Sequence, residues 1–250
     1  MKYWRNTNSA KEKEWEGHTR PGKRKLSPLK EFVMTLMRLR LDLPILLIAD
    51  LFTVSASRVT EITITWIAYL NQTLVPALIV WPSQEQIRSR MPLGFKLGGY
   101  GRTRTVIDCT EFYIDRPGNK EEQYRTYSSY KSHNTLKCLI GVNPNGAFNF
   151  VSELWSGNVS DKYITEHCNL VGLLTEEDQV MADRGFRIED LLLNVDATLA
   201  APPFTRSTSN LKGKGKRLNV TEIRKTRTIA RLRIHVERAI QVSCSHVIQE

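Results

Sequence analysis

Apolar residues recur every three or four positions in the first third of the chain, which is the spacing of one helix face. In the first segment they are Phe32, Leu36, Leu39 and Leu43. Ser27 and Pro28 precede them and are typical of a helix N-terminus. The pattern predicts one helix after Ser27, a short second helix over 44–52 and a longer third helix over 55–74.

The second and third predicted helices are separated by a turn of about three residues, as in a helix-turn-helix motif. The start of the third helix in such a motif faces the DNA groove. This places Ser55, Ser57, Arg58 and Glu61 among the candidate DNA contacts. A plain three-helix bundle is the alternative, because the turn lacks the glycine that such motifs usually carry.

The hydrophobic pattern changes after a connector over 81–104 that is rich in proline and glycine. The later apolar runs are short and bounded by turn residues, which predicts strands. Strands are expected at 105–114, 135–142, 147–154, 179–182 and 197–201, with helices at 160–170, 188–194 and 221–240. Three antiparallel strands followed by alternating helices and strands predict a ribonuclease H-like α/β domain with a mixed five-stranded sheet.

The 250 residues carry a net charge of +10, which favours a polyanionic partner such as nucleic acid. The apolar runs are too short to span a membrane, and the N-terminus lacks the apolar segment of a secretory signal. The four cysteines form no CxxC pair, so we expect reduced thiols rather than a zinc site. From the short apolar runs we predict no membrane partner.

Basic residues cluster towards the end of the chain, first in a glycine-containing loop and then on the last predicted helix. The loop contributes Lys212, Lys214, Lys216 and Arg217. The helix contributes arginines spaced by three or four residues, Arg224, Arg227, Arg231 and Arg238. A row of arginines on one helix face suits contacts along DNA phosphates. A solvated surface is the alternative, but few acids balance it.

Three acids occupy positions that this fold brings together. Asp108 lies inside the first strand, Asp183 follows the fourth strand, and Glu237 lies on the last helix. Converging carboxylates repel one another unless cations lie between them. Two divalent ions about 4 Å apart can activate a water or a 3′-hydroxyl for attack on a phosphodiester. The sequence predicts a site for Mg²⁺ or Mn²⁺, since carboxylates accept both.

Several segments resemble the DDE superfamily endonucleases, transposase-derived proteins of the Harbinger type. They are IDCTEF, the run from TYSSYK to DKYIT, MADRGFRIEDLL, APPF and RIHVERAI. The resemblance implies a catalytic and metal-binding triad of Asp108, Asp183 and Glu237. It adds Asp161 as a further metal candidate, for which helix capping is the alternative.

The sequence predicts a domain organisation, in which the helix-turn-helix and endonuclease domains are the parts that carry the resemblance. It comprises a disordered basic tail over 1–26, a helix-turn-helix domain over 27–80, a linker over 81–104, an endonuclease domain over 105–241 and a tail over 242–250. In the family the chain continues beyond the segment that contains Glu237, so we expect a C-terminal truncation.

The implied function is a metal-dependent DNA endonuclease and strand transferase that acts in the nucleus. Its expected partner is double-stranded DNA at transposon ends, with a second copy of the chain or an accessory DNA-binding protein. One alternative is a domesticated or decayed transposase that binds DNA without cutting it. A ribonuclease acting on RNA–DNA hybrids is another.

Overall fold

The computed structural model of the chain describes residues 25–203 and 219–244. The described residues divide into two compact units, one over 25–78 and one over Ile79–Cys244. The predicted basic loop that contains Lys212, Lys214, Lys216 and Arg217 lies outside the described residues, as do most of the N-terminal tail and residues 245–250.

The first unit contains α1 (Pro28–Leu41), α2 (Ile45–Phe52), α3 (Ala56–Thr73) and the single turn α4 (Val75–Leu78). The hydroxyls of Ser27 and Ser55 cap α1 and α3 by accepting hydrogen bonds from backbone N–H groups three residues later. The three helices predicted from the sequence are therefore present.

The turn between α2 and α3 is made without glycine. Thr53 has a φ of 53°, in the left-handed region, and its backbone N–H donates to the carbonyls of Ala49 and Asp50. This conformation ends α2 and directs the chain towards Ser55 at the start of α3. A threonine thus takes the position that a glycine usually occupies in such a turn.

The core of the first unit includes Met34, Ile48, Val59 and Ile62. The apolar stripe predicted for α1 is only partly buried. Its members Leu36 and Leu39 are exposed, because the buried face of the helix is centred on Met34 instead.

The second unit contains a seven-stranded mixed sheet. Its strands are β1 (Thr103–Tyr113), β2 (Tyr127–Ser128), β3 (His133–Val142), β4 (Phe148–Val151), β5 (Trp155–Ser156), β6 (Gln179–Met181) and β7 (Thr198–Ala200). β1 is antiparallel to β3 and parallel to β6, and β6 is parallel to β7. β3 also pairs with β2, β4 and β5. This is the ribonuclease H-like class of sheet that the order of elements predicts, with the short strands β2 and β5 in addition to the five that were expected.

Six helices accompany the sheet within the described part of this unit. They are α5 (Gln84–Ser89), α6 (Leu93–Leu97), α7 (Lys120–Thr126), α8 (Asp161–His167), α9 (Glu189–Leu193) and α10 (Val220–Cys244), with a 3-10 turn at Val171–Leu173. The predicted connector over 81–104 contains the short helices α5 and α6, whose Ile87 and Phe95 enter the core. None of the described helices is long and apolar enough to span a membrane.

Neighbouring residues of β1 enter different cores because side chains alternate between the two faces of a strand. Val106 packs in one cluster with Ile229 and Leu232 of α10. Ile107 packs in another cluster with Ile164 of α8 and Leu192 of α9. α10 therefore covers one face of the sheet, and α8 and α9 cover the other.

Candidate active site

The pairing of β1 with β6 brings two of the predicted acids side by side. Val106 and Met181 are partners in this parallel pairing. Asp108 lies two residues beyond Val106, and Asp183 lies two residues beyond Met181. A two-residue step returns the side chain to the same face of a strand, so Asp108 points towards the face that α10 covers. Asp183 is placed next to it where β6 ends.

The third acid reaches this point from α10. Ile229, Arg233 and Glu237 recur every four residues on this helix and so lie along one of its faces. Ile229 is fully buried in the same cluster as Val106. The packing of Ile229 against the sheet thus carries Arg233 and Glu237 to the two aspartates.

Arg233 lies at the centre of the three acids. Its Nη1 lies 2.8 Å from Oδ1 of Asp183, and its Nη2 lies 4.0 Å from Oδ2 of Asp108 and 3.9 Å from Oε1 of Glu237. The Arg233 side chain is only 9% exposed, whereas the three acidic side chains are 33% to 57% exposed. A single buried guanidinium therefore forms ion pairs with all three acids of the predicted triad.

Burial raises the pKa of Asp108 above its usual range, and the negative charges of Asp183 and Glu237 act in the same direction. The positive charge of Arg233 opposes this shift, as does the hydrogen bond that Oδ1 of Asp108 accepts from the Cys109 N–H at 3.0 Å. Arg233 is thus the strongest influence that opposes the effect of burial on the pKa of Asp108.

The donor chemistry of the triad suits a hard divalent cation, because all three side chains offer carboxylate oxygens. The positions of these side chains in the structure do not suit a divalent cation. Among the described residues, no group of three or more acidic, histidine or cysteine side chains could hold a metal ion. As the side chains stand, the geometry accommodates the guanidinium of Arg233 rather than a metal.

Asp161, the additional metal candidate, is not brought to the triad. It lies in the first turn of α8, which packs on the opposite face of the sheet. Its Oδ1 lies 3.5 Å from Nζ of Lys137, and it also interacts with the thiol of Cys109. Burial is the largest cause that raises the pKa of this thiol, and Asp161 raises it further.

The predicted DNA contacts lie in two places. Ser55, Ser57 and Arg58 lie at the start of α3, where Ser55 caps the helix and Arg58 forms a 2.9 Å ion pair with Glu61. The four arginines of the predicted stripe on α10 are all exposed: Arg224, Arg227, Arg231 and Arg238. Their side chains are available to a polyanion.

Arg233 is the residue of this site that sequence reasoning missed. It is not part of the arginine stripe predicted on the last helix. The spacing of the helix indicates its burial: Arg233 lies four residues after Ile229, about one helical turn, and therefore falls on the buried face of α10. An arginine on a buried helix face requires an acidic partner.

The mixed sheet and its flanking helices define a ribonuclease H-like α/β domain. Comparison with family models agrees with this class: the DDE superfamily endonuclease model matches residues 107–243, more than half of the chain. The model for the helix-turn-helix of DDE superfamily endonuclease matches residues 24–76. The chain therefore belongs to the DDE superfamily endonucleases and carries their helix-turn-helix region. No curated protein and no solved structure matches the chain.

Proposed function

We propose that this chain is a divalent-cation-dependent DNA endonuclease and strand transferase of the Harbinger type. Its catalytic carboxylates are Asp108, Asp183 and Glu237. The observation that carries the proposal is their convergence on the single guanidinium of Arg233. All three acids also fall within the segment that the endonuclease family model matches.

The three carboxylates come from three different elements. Asp108 is part of β1, in the middle of the sheet, and Asp183 lies two residues beyond the end of β6. Glu237 lies on α10, which reaches the sheet through Ile229. The two aspartates form the fixed part of the site, and the position of Glu237 depends on how α10 packs.

The proposed cofactor is Mg²⁺ or Mn²⁺, since oxygen donors of this kind bind both ions. The proposed substrate is double-stranded DNA at transposon ends, handled in the nucleus. The helix-turn-helix match and the exposed arginines of α10 support a DNA partner. Ser55, Ser57 and Arg58 at the start of α3 are the proposed contacts of the helix-turn-helix region.

Nicking of supercoiled plasmid in Mn²⁺ tests this function. We expect wild type to nick, and Asp108→Asn, Asp183→Asn and Glu237→Gln each to lose at least about 100-fold in rate. Asp161→Asn is the matched control, because it makes the same change on the opposite face of the sheet. Its nicking rate should stay near that of wild type.

A second candidate function is DNA binding without cleavage. It is favoured by the guanidinium that lies among the acids and by the lack of a metal-holding group in the described residues. DNA binding by wild type with no nicking in Mn²⁺ would support it. Equal nicking by wild type and Asp183→Asn would instead show that the active site lies elsewhere.

A further inference from the structure

We propose that Arg233 is a built-in cation that holds the three carboxylates when no metal is bound and competes with divalent cations for them. This role of Arg233 rests on the proposed function, because it concerns the same carboxylates. Beyond the proposed function, the guanidinium and a divalent cation compete for the same carboxylates.

The position of Arg233 supports this role. Its Nη1 makes a direct, charge-assisted contact of 2.8 Å with Oδ1 of Asp183, and its Nη2 lies within 4.0 Å of both Asp108 and Glu237. A metal at this site would bind the same three carboxylates. The guanidinium and the metal would therefore compete for them.

The charges make this sharing unfavourable. A divalent ion on the Asp183 carboxylate would lie a few ångströms from the positive charge of Arg233, whose side chain is only 9% exposed. Arginine cannot lose its proton to relieve the repulsion. Either the guanidinium moves away or the metal binds more weakly than three carboxylates alone would allow.

The burial of Arg233 explains why it stays with the acids in the absence of metal. Its side chain is buried, and its Nε has no hydrogen-bond partner among the described residues. A buried guanidinium is stable only if carboxylates compensate for its lost hydration. The acids and Arg233 thus stabilise one another until a stronger cation replaces the arginine.

Binding of Mn²⁺ to the full chain without DNA, measured by calorimetry, tests this role. Arg233→Gln should bind Mn²⁺ at least about tenfold more tightly than wild type, because the competing charge is gone. Lys225→Gln is the matched control, since it removes one positive charge from an exposed position on the same helix. Its Mn²⁺ affinity should equal that of wild type.

Affinity in Arg233→Gln equal to or weaker than wild type would overturn the proposal and would make Arg233 a residue that positions the acids for the metal. That result would leave the proposed nuclease function intact. Absence of Mn²⁺ binding in both proteins would overturn this role and the proposed cofactor together. If Arg233→Gln fails to fold, Arg233→Met is the second variant. It also removes the charge and should bind Mn²⁺ more tightly than wild type, and an unchanged affinity would overturn the proposal.

Discussion

Glu111 and Lys137 are partners in the pairing of β1 with β3, and Nζ of Lys137 lies 3.7 Å from Oε1 of Glu111. The other oxygen of Glu111 accepts a hydrogen bond from the Thr135 hydroxyl at 2.8 Å. Lys137 also reaches Asp161 at 3.5 Å and donates to the carbonyl of Val159 at 3.0 Å. This network joins the start of α8 to the sheet, on the face opposite Asp108.

We expect Lys137→Met to lower the free energy of unfolding by about 3 kcal/mol, because it leaves the carboxylate of Glu111 buried without its cation. The two side chains are only 14% and 7% exposed. Urea denaturation of the variant and of wild type measures the difference.

Arg125→Met is the control for this loss. Arg125 pairs with Glu121 at 2.6 Å, but both side chains are about two-thirds exposed (65% and 67%). Its removal should cost less than about 1 kcal/mol. Equal losses in the two variants would mean that burial does not set the strength of the Lys137 pairs.

Thr53→Gly should raise the stability of the helix-turn-helix unit by about 0.5 to 1 kcal/mol. Thr53 is a β-branched residue at a φ of 53°, and such residues are strained in the left-handed region, whereas glycine is not. The higher backbone entropy of glycine in the unfolded chain offsets part of this gain. Thermal unfolding followed by circular dichroism measures the net effect.

Thr60→Gly provides the opposite case. Thr60 is exposed inside α3, where glycine is less favourable than threonine by about a few tenths of a kcal/mol. The two substitutions should therefore shift the melting temperature in opposite directions. A lower melting temperature in both would show that Thr53 is not strained.

The sequence predicted the features of this chain that depend on local signals. Ser27 was expected at a helix N-terminus, and it caps α1, because a cap acts within three residues. Asp108 and Asp183 were placed together because the order of strands in this fold makes β1 and β6 neighbours. The first inference needed only local spacing, and the second needed the order of the elements along the chain.

Other features depend on partners far away in the sequence. Arg233 meets Asp108 only after α10 packs against β1, and no local pattern contains that contact. Leu36 and Leu39 follow helical spacing as well as Met34 does, yet only Met34 is buried. A single helix with apolar residues around much of its circumference does not reveal which face its neighbours cover.

Gly141→Ala should destabilise the second unit by about 1 to 3 kcal/mol, because the added methyl group overpacks the sheet. A Cβ at this position would lie 2.9 Å from Oδ1 of Asn149, from Cβ of Phe150 and from Oγ1 of Thr105. The Thr105 hydroxyl and Asn149 Oδ1 are themselves joined by a buried 3.0 Å hydrogen bond. Chemical denaturation measures the loss.

Gly101→Ala is the control for Gly141. A Cβ at Gly101 meets no atom within 4 Å, and its φ lies outside the left-handed region. Its stability should match or slightly exceed that of wild type, since alanine reduces the entropy of the unfolded chain. A destabilised Gly101→Ala variant would show that loss of glycine, rather than overpacking, accounts for the effect at Gly141.

The exposed arginines of α10 should contribute to DNA affinity through phosphate contacts. Arg227→Gln and Arg231→Gln should each weaken binding to duplex DNA, and each should reduce the slope of log K against log salt by about 0.9. Because phosphates carry no sequence information, the loss should be the same for unrelated duplexes. Fluorescence anisotropy at several salt concentrations measures both quantities.

Arg125→Gln is the control for these arginines, because it removes an equal charge from an exposed position on α7. If only the overall charge of +10 attracted DNA, all three variants would weaken binding equally and leave similar slopes. A smaller slope confined to Arg227→Gln and Arg231→Gln would place phosphates directly on α10. The helix that carries Glu237 would then also bring the DNA backbone to the acids, so one element would couple substrate binding to the site of cleavage.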